Sequence, residues 1–260
     1  GCWFKSNRCN QFLMPTQLSI QFDLSLARKL ADYSRRAYEV NPCAELQNGA
    51  LWNVLLEDDK TDAHVLIEDI GDAIVLAFRG TKDIRDWLTD AEFFKATFDA
   101  QDEKVHAGFL AAALSLLPPI TGRLKGRNKS LLLTGHSLGG ALATICALVL
   151  QQQNFPIRAV YTFASPRVGN AAFRRAYNNL AGFKTFRIAG AGDLVPLVPG
   201  VFCTPCDGYR HVGQEVFLTG NYALVNPVRY LDLFLDGVAA WRALRRGDFD
   251  FILQYHGIAD

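Results

Sequence analysis

The residues of this 260-residue chain that could do chemistry begin with Gly135-His136-Ser137-Leu138-Gly139. The pattern is G-x-S-x-G, set between the apolar run Ser130 to Thr134 and the helix-like stretch Gly140 to Leu148. On such a strand-to-helix turn a serine takes a strained backbone, and the flanking glycines carry no Cβ to clash where strand and helix pass closely. The hydroxyl is thereby held out as a nucleophile. A glycine-rich turn with an incidental serine is the plainer alternative, and the flanking strand and helix patterns speak against it.

A serine hydroxyl attacks poorly at neutral pH unless a base touches it and a carboxylate orients that base. In hydrolases built on parallel sheets the order along the chain is serine, acid, histidine, each from a loop after a strand. Asp193 follows Phe186-Arg187-Ile188-Ala189 through Gly190-Ala191-Gly192 and stands in the required place; otherwise it is an ordinary turn aspartate. Of the five histidines, His136 abuts the nucleophile and should point away from it, and His64 and His106 precede the serine. His211 and His256 remain. Spacing favours His256, beyond the helical pattern Val228 to Leu244, and leaves His211 a structural hydrogen bond.

Acyl transfer also needs two N–H groups aimed at the developing oxyanion. Leu138, after the nucleophile, supplies one; Thr81, after the strand-like Ile74 to Phe78 and the turn at Gly80, supplies the other. From Lys82 to Ala91 the apolar residues Ile84, Trp87, Leu88 and Ala91 fall on one side of a helix. That face either packs on the core or, beside an oxyanion loop, belongs to a lid.

These groups need a frame. Asp23 to Glu39 has helical spacing and stops at Asn41-Pro42, while Trp52 to Leu56, His64 to Ile70 and Ala73 to Phe78 are strand-like. Helices and strands then alternate: Phe109 to Leu117 helical up to Pro118-Pro119, Leu131 to Leu133 a strand, Leu138 to Gln152 a helix, Ala159 to Phe163 a strand, Asn170 to Leu180 a helix, Thr185 to Ile188 a strand. The alternation predicts an α/β fold with a mostly parallel, doubly wound sheet and helices on both faces, in a single domain over residues 1–260. Ligands then sit at the carboxyl ends of the strands, where Ser137 lies.

A net charge of +1, from 27 basic and 26 acidic residues, gives no electrostatic reason to expect nucleic acid or an anionic membrane as partner. No apolar run approaches the roughly 18 residues of a membrane span, so no transmembrane segment is expected. Gly1-Cys2-Trp3-Phe4-Lys5 lacks the form of a signal peptide, so any leader is expected to be gone already. Six cysteines leave the compartment open; Cys203-Thr204-Pro205-Cys206 reads as a loop disulfide or two free thiols, since zinc would need a second pair at matching spacing. Cys146 reads as a small core residue. No metal and no cofactor is expected, and no run has the spacing of a calcium loop.

Ala77-Phe78-Arg79-Gly80-Thr81 with Trp87, Val105-His106-Ala107-Gly108-Phe109, Thr134 to Gly140, Thr162 to Asn170, Asp193-Leu194-Val195-Pro196 and Tyr209 to Glu215 together resemble the successive blocks of the class 3 lipases, the family of fungal triacylglycerol lipases with bacterial and plant relatives. The resemblance implies an α/β-hydrolase fold. It also implies Ser137 as nucleophile, Asp193 as acid, Thr81 and Leu138 as oxyanion donors, Ile84 to Asp90 as a movable lid and His211 as the non-catalytic histidine. The family's base comes near the carboxyl end, where His256 stands, although no aromatic residue follows it here. The activity so implied is carboxylic ester hydrolysis, on triacylglycerols at a transient lipid–water interface. Soluble feruloyl or short-chain esters, a phospholipase A1 activity, or a non-catalytic hydrolase-fold binding protein are the alternatives. The compartment leans to secretion through the habits of relatives.

Overall fold

The computed structural model describes residues 21–39, 52–81, 95–98, 102–190, 193–199, 208–218 and 224–225. Helix α1 (Leu24–Arg36) opens on Asp23, whose side chain accepts from the N–H groups of Ser25 and Leu26. Strands β1 (Trp52–Asp58), β2 (Ala63–Asp69) and β3 (Ala73–Phe78) follow as an antiparallel meander. The chain then forms a two-stranded ribbon, β4 (Lys95–Thr97) with β5 (Lys104–His106), and helix α2 (Ala107–Leu124). After it come β6 (Ser130–His136), α3 (Leu138–Gln152), β7 (Ile157–Phe163), α4 (Ala171–Leu180), β8 (Thr185–Gly190), β9 (Gln214–Leu218) and β10 (Leu224–Val225).

Among the described residues the main sheet has eight strands in the order β1-β2-β3-β6-β7-β8-β9-β10. Its centre, from β3 to β9, is parallel, and both flanks are antiparallel. The parallel strands are apolar on both faces because helices cover both; β3, Ala-Ile-Val-Leu-Ala-Phe, is buried throughout. Side chains of period two divide the core. Ile74, Leu76, Phe78, Leu131, Leu133 and Val160 pack under α2, α3 and α4. Ala73, Val75, Ala77, Leu132, Tyr161 and Phe186 pack under α1. The parallel strands advance across the sheet in one direction, and crossovers of one hand then bring all three connecting helices to the same face. The opposite face is covered by α1, and Cys146 is buried in α3 as a core residue.

Two features depart from the sequence reading. Helix α2 does not stop before Pro118-Pro119 but runs to Leu124. Both prolines lie on the exposed face, so carbonyls that lose an N–H partner are on the water side, while the buried stripe Phe109, Ala113, Leu116, Ile120 and Leu124 continues past them. Burial of that stripe outweighs two missing hydrogen bonds. The same helix, with 18 residues, is also long and apolar enough to cross a bilayer by length and composition, although no uninterrupted apolar run in the sequence is that long. Its packing against the sheet makes it a core helix. The ribbon β4–β5 and strand β9 are short and charged, and no periodic pattern announces them. The expected helix Val228 to Leu244 and the stop at Asn41-Pro42 lie outside the described residues.

Candidate active site

Ser137 stands between β6 and α3 with φ 55° and ψ −128°, a conformation that costs an L-residue about 1–3 kcal/mol. The surroundings impose it. Its N–H donates to the Phe163 carbonyl (2.9 Å), and its own carbonyl accepts from the Gly140 N–H (2.9 Å). A Cβ at Gly135 would run into the Gly139 backbone, and one at Gly139 into the Phe78 carbonyl, so strand and helix approach this closely only through glycine. Ser137 is 1% exposed, and its Oγ has no hydrogen-bond partner among the described residues. Leu138 opens α3, where the first N–H groups have no intrahelical acceptor and the helix dipole favours negative charge.

Thr81 leaves the carboxyl end of β3, the strand beside β6, and is half-buried. Gly80 before it has no positive φ, so its need for glycine is not the tight turn expected from the sequence. The need is space. A Cβ there would meet the Tyr38 hydroxyl and come within 2.6 Å of the His136 carbonyl oxygen. His136 faces the α1 side, with Nδ1 3.0 Å from Tyr38 Oη and the rings edge to face. Period two on β6 explains this, because Thr134, two residues earlier, bonds the Leu30 carbonyl of α1.

Asp193 follows β8, two strands from β6, or about 10 Å across the sheet. It is buried, and its Oδ1 accepts from the Val195 N–H (2.9 Å), which turns the chain into the short 3-10 segment Val195–Leu197. This loop is tied from outside itself. His211 Nε2 donates to the Pro196 carbonyl (2.6 Å), the Arg167 N–H to the Val198 carbonyl (2.8 Å) and Arg167 Nη1 to the Pro199 carbonyl (3.1 Å). Burial, reinforced by the positive field of Arg187 and Arg167, pushes the His211 imidazole well below its usual 6.5, so it stays neutral. Arg187 is itself buried and pairs with Glu215 on β9 (2.8 Å).

Thr81, Ser137, Leu138 and Asp193 therefore share the carboxyl edge of the parallel strands. His256 and the lid residues Ile84, Trp87 and Leu88 lie outside the described residues, as do Cys203 and Cys206. His106 caps α2, its Nδ1 accepting from the Phe109 N–H (3.4 Å), and desolvation lowers its pKa from 6.5 to about 4. Tyr38, Arg167 and Ser165, whose side chain packs where a Gly140 Cβ would stand, are site neighbours that sequence reasoning missed. No local signal marks Tyr38. Ser165 follows Ala164 at φ 51°, a strain that sequence does not show. Among the described residues no cluster of His, Cys, Asp or Glu could hold a metal.

Residues 75–203 match the lipase (class 3) family. Secreted mono- and diacylglycerol lipase 1 of Fusarium solani is 34% identical over 165 residues, 61% of this chain and 48% of its own length. A lipase of Rhizomucor miehei is 33% identical over 181 residues, 65% of this chain and 48% of its own. The chain thus spans about half the length of these relatives. A solved triacylglycerol lipase whose catalytic centre is described as a serine protease triad superposes with a TM-score of 0.67 at 25% identity, over 77% of this chain and 82% of its own. The lipase of Rhizopus microsporus var. chinensis gives 0.63 at 26%, over 76% of each chain. With the elbow and the parallel sheet, residues 75–203 match the class 3 lipase family, and the fold is the α/β-hydrolase fold of the solved fungal lipases.

Proposed function

We propose that this protein hydrolyses the carboxylic esters of acylglycerols through an acyl-enzyme formed on Ser137. The observation that carries the reading is the strained, buried Ser137 hydroxyl at the amino end of α3, beside the loops that hold Thr81 and Asp193. In this reading Ser137 Oγ attacks the ester carbonyl carbon while its proton passes to His256. The Asp193 carboxylate stabilises the imidazolium, and the N–H groups of Thr81 and Leu138 hold the oxyanion. The alcohol leaves with the proton from His256, and water repeats the sequence on the acyl-enzyme. Ile84, Trp87 and Leu88 form the apolar face of a lid that meets a lipid surface. Residues 1–260 act as one domain, and the relatives named as secreted support export of this one.

The test is the initial rate on p-nitrophenyl esters from acetate to palmitate, carried across the solubility limit. Ser137→Ala is expected to lose at least about a thousand-fold in rate; retention of most of it would overturn the nucleophile. A rate that rises with chain length and jumps when substrate aggregates supports a lidded lipase, and one confined to short soluble esters makes it an esterase. A second reading, phospholipase A1, draws on the rice phospholipase A1-II 3, 29% identical over 209 residues. A head-group series separates the two.

A further inference from the structure

Three separate segments meet at one point beneath the proposed oxyanion loop. Tyr38 stands in the turn after α1, its own N–H bonded to the Arg35 carbonyl (3.0 Å), so α1 fixes where its ring projects. Its hydroxyl lies 3.0 Å from His136 Nδ1, on the residue before the nucleophile. Gly80, the residue before Thr81, lies so close to this hydroxyl and to the His136 carbonyl that neither leaves room for a Cβ. We propose that Tyr38 is a positioning residue of the ester hydrolysis, its hydroxyl joining the Gly80 side of the oxyanion loop to the His136 side of the nucleophile elbow and so fixing the spacing of Thr81 from Ser137. The proposal rests on the reading of Ser137 and Thr81 given above.

The hydroxyl is suited to both partners at once. Burial pushes its pKa up to about 12, with the Gly80 N–H facing its oxygen and Arg79 opposing that rise, so it keeps its proton at every working pH. With an N–H facing its oxygen, the phenol has its O–H left to donate to His136 Nδ1, and the chain of bonds then runs in one direction. An oxyanion hole works only when its donors stand at the oxyanion's position beforehand. Thr81 sits on a loop, whereas Leu138 is fixed by a helix, so Thr81 is the donor that needs an outside tie. Neither Tyr38 nor His136 touches the reacting atoms in this scheme; both act through backbone they hold.

The experiment compares Tyr38→Phe with Tyr33→Phe, which removes a buried hydroxyl from the same helical segment but one bonded to Glu68, away from the site. With p-nitrophenyl butyrate, Tyr38→Phe is expected to lower kcat about ten-fold with KM changed less than about two-fold, a fraction of the 10²–10³ that loss of an oxyanion donor costs. Tyr33→Phe should lower stability and leave kcat unchanged. Phosphonylation of Ser137 by a p-nitrophenyl phosphonate, whose adduct occupies the same hole, should slow in Tyr38→Phe by the same factor as kcat. A kcat loss no larger than that of Tyr33→Phe, or an effect confined to KM, would overturn the proposal while Ser137→Ala still abolishes activity. If Ser137→Ala stays active, the reading of the site fails and the proposal falls with it.

Discussion

The nucleophile side and the acid side of this sheet edge are held by different physics. At the elbow the constraint is steric and local: Gly135 and Gly139 let β6, α3 and the end of β3 approach until no Cβ fits, and Ser137 takes the one backbone conformation left. At Asp193 the constraint is polar and distant. The loop hangs on His211, 18 residues later in the chain, and on Arg167, which precedes it by 26. Crowding does not titrate. A desolvated neutral histidine does, so the two halves of one candidate site should fail under different insults.

The largest expected effect breaks the steric half. In Gly139→Ala the new methyl meets the Phe78 carbonyl and the Arg79 backbone, none of which is the flexible end of a side chain. Strand β3 and helix α3 must separate, and the expected cost is about 3–5 kcal/mol, read as a lowered midpoint in denaturant unfolding or as loss of folded protein. An alanine tolerated here within 1 kcal/mol would show that the elbow is looser than its backbone implies.

Acid should act on the other half. For His106, lowered from 6.5 to about 4, and for His211, lowered well below 6.5, the folded state holds the neutral ring while the unfolded chain takes up the proton first. Their contribution is present in full above about pH 6.5 and is lost as pH falls below it. For His106 it is gone near pH 4, an upper bound of about 3 kcal/mol from the displacement of its pKa. His106 belongs to this side through its backbone, whose N–H donates to the Val168 carbonyl next to Gly169, and the Gly169 carbonyl accepts from the Arg210 N–H. Thermal melts from pH 8 to 4 should show the decline, and His106→Gln should flatten it. A melting temperature level from pH 6.5 to 4.5 would remove the electrostatic account of this half.

His211→Phe isolates one tie. It removes the Nε2–H that the Pro196 carbonyl accepts, and a buried carbonyl left without that donor costs about 1–3 kcal/mol. Stability should fall by that amount at pH 8, and the pH dependence below 6.5 should weaken with it. The loss at pH 8 without the weakening would mean that His211 ties the loop but does not titrate with folding.

The same contrast explains what the sequence discloses. The elbow is readable because its requirement, glycine around a serine between a strand and a helix, is written within five adjacent residues. The parallel strands are readable because burial on both faces makes β3 apolar at every position. Tyr38 and Arg167 act through partners 98 and 32 residues away, and a single chain carries no local mark of such pairs. Pro118 and Pro119 misled for a related reason: whether a proline ends a helix depends on which face it occupies and on what the following residues bury, here Ile120 and Leu124.

Gly190 offers the smallest effect and the sharpest separation of the two mechanisms. It closes β8 on the way to Asp193, as Gly135 and Gly139 flank Ser137, and in sequence all three look alike. A Cβ at Gly190, however, would meet nothing within 4 Å, and its φ is not in the left-handed region. Gly190→Ala should therefore change stability by no more than about 0.5 kcal/mol, slightly upward if the unfolded chain loses freedom. Ester hydrolysis should stay within about two-fold, since the acid loop is tied by His211, by Arg167 and by a backbone bond from the Asp193 N–H to the Gly190 carbonyl, none of which a methyl at this position touches. A large loss in Gly190→Ala with an ordinary result in His211→Phe would reverse the assignment and place steric control on both sides of the site.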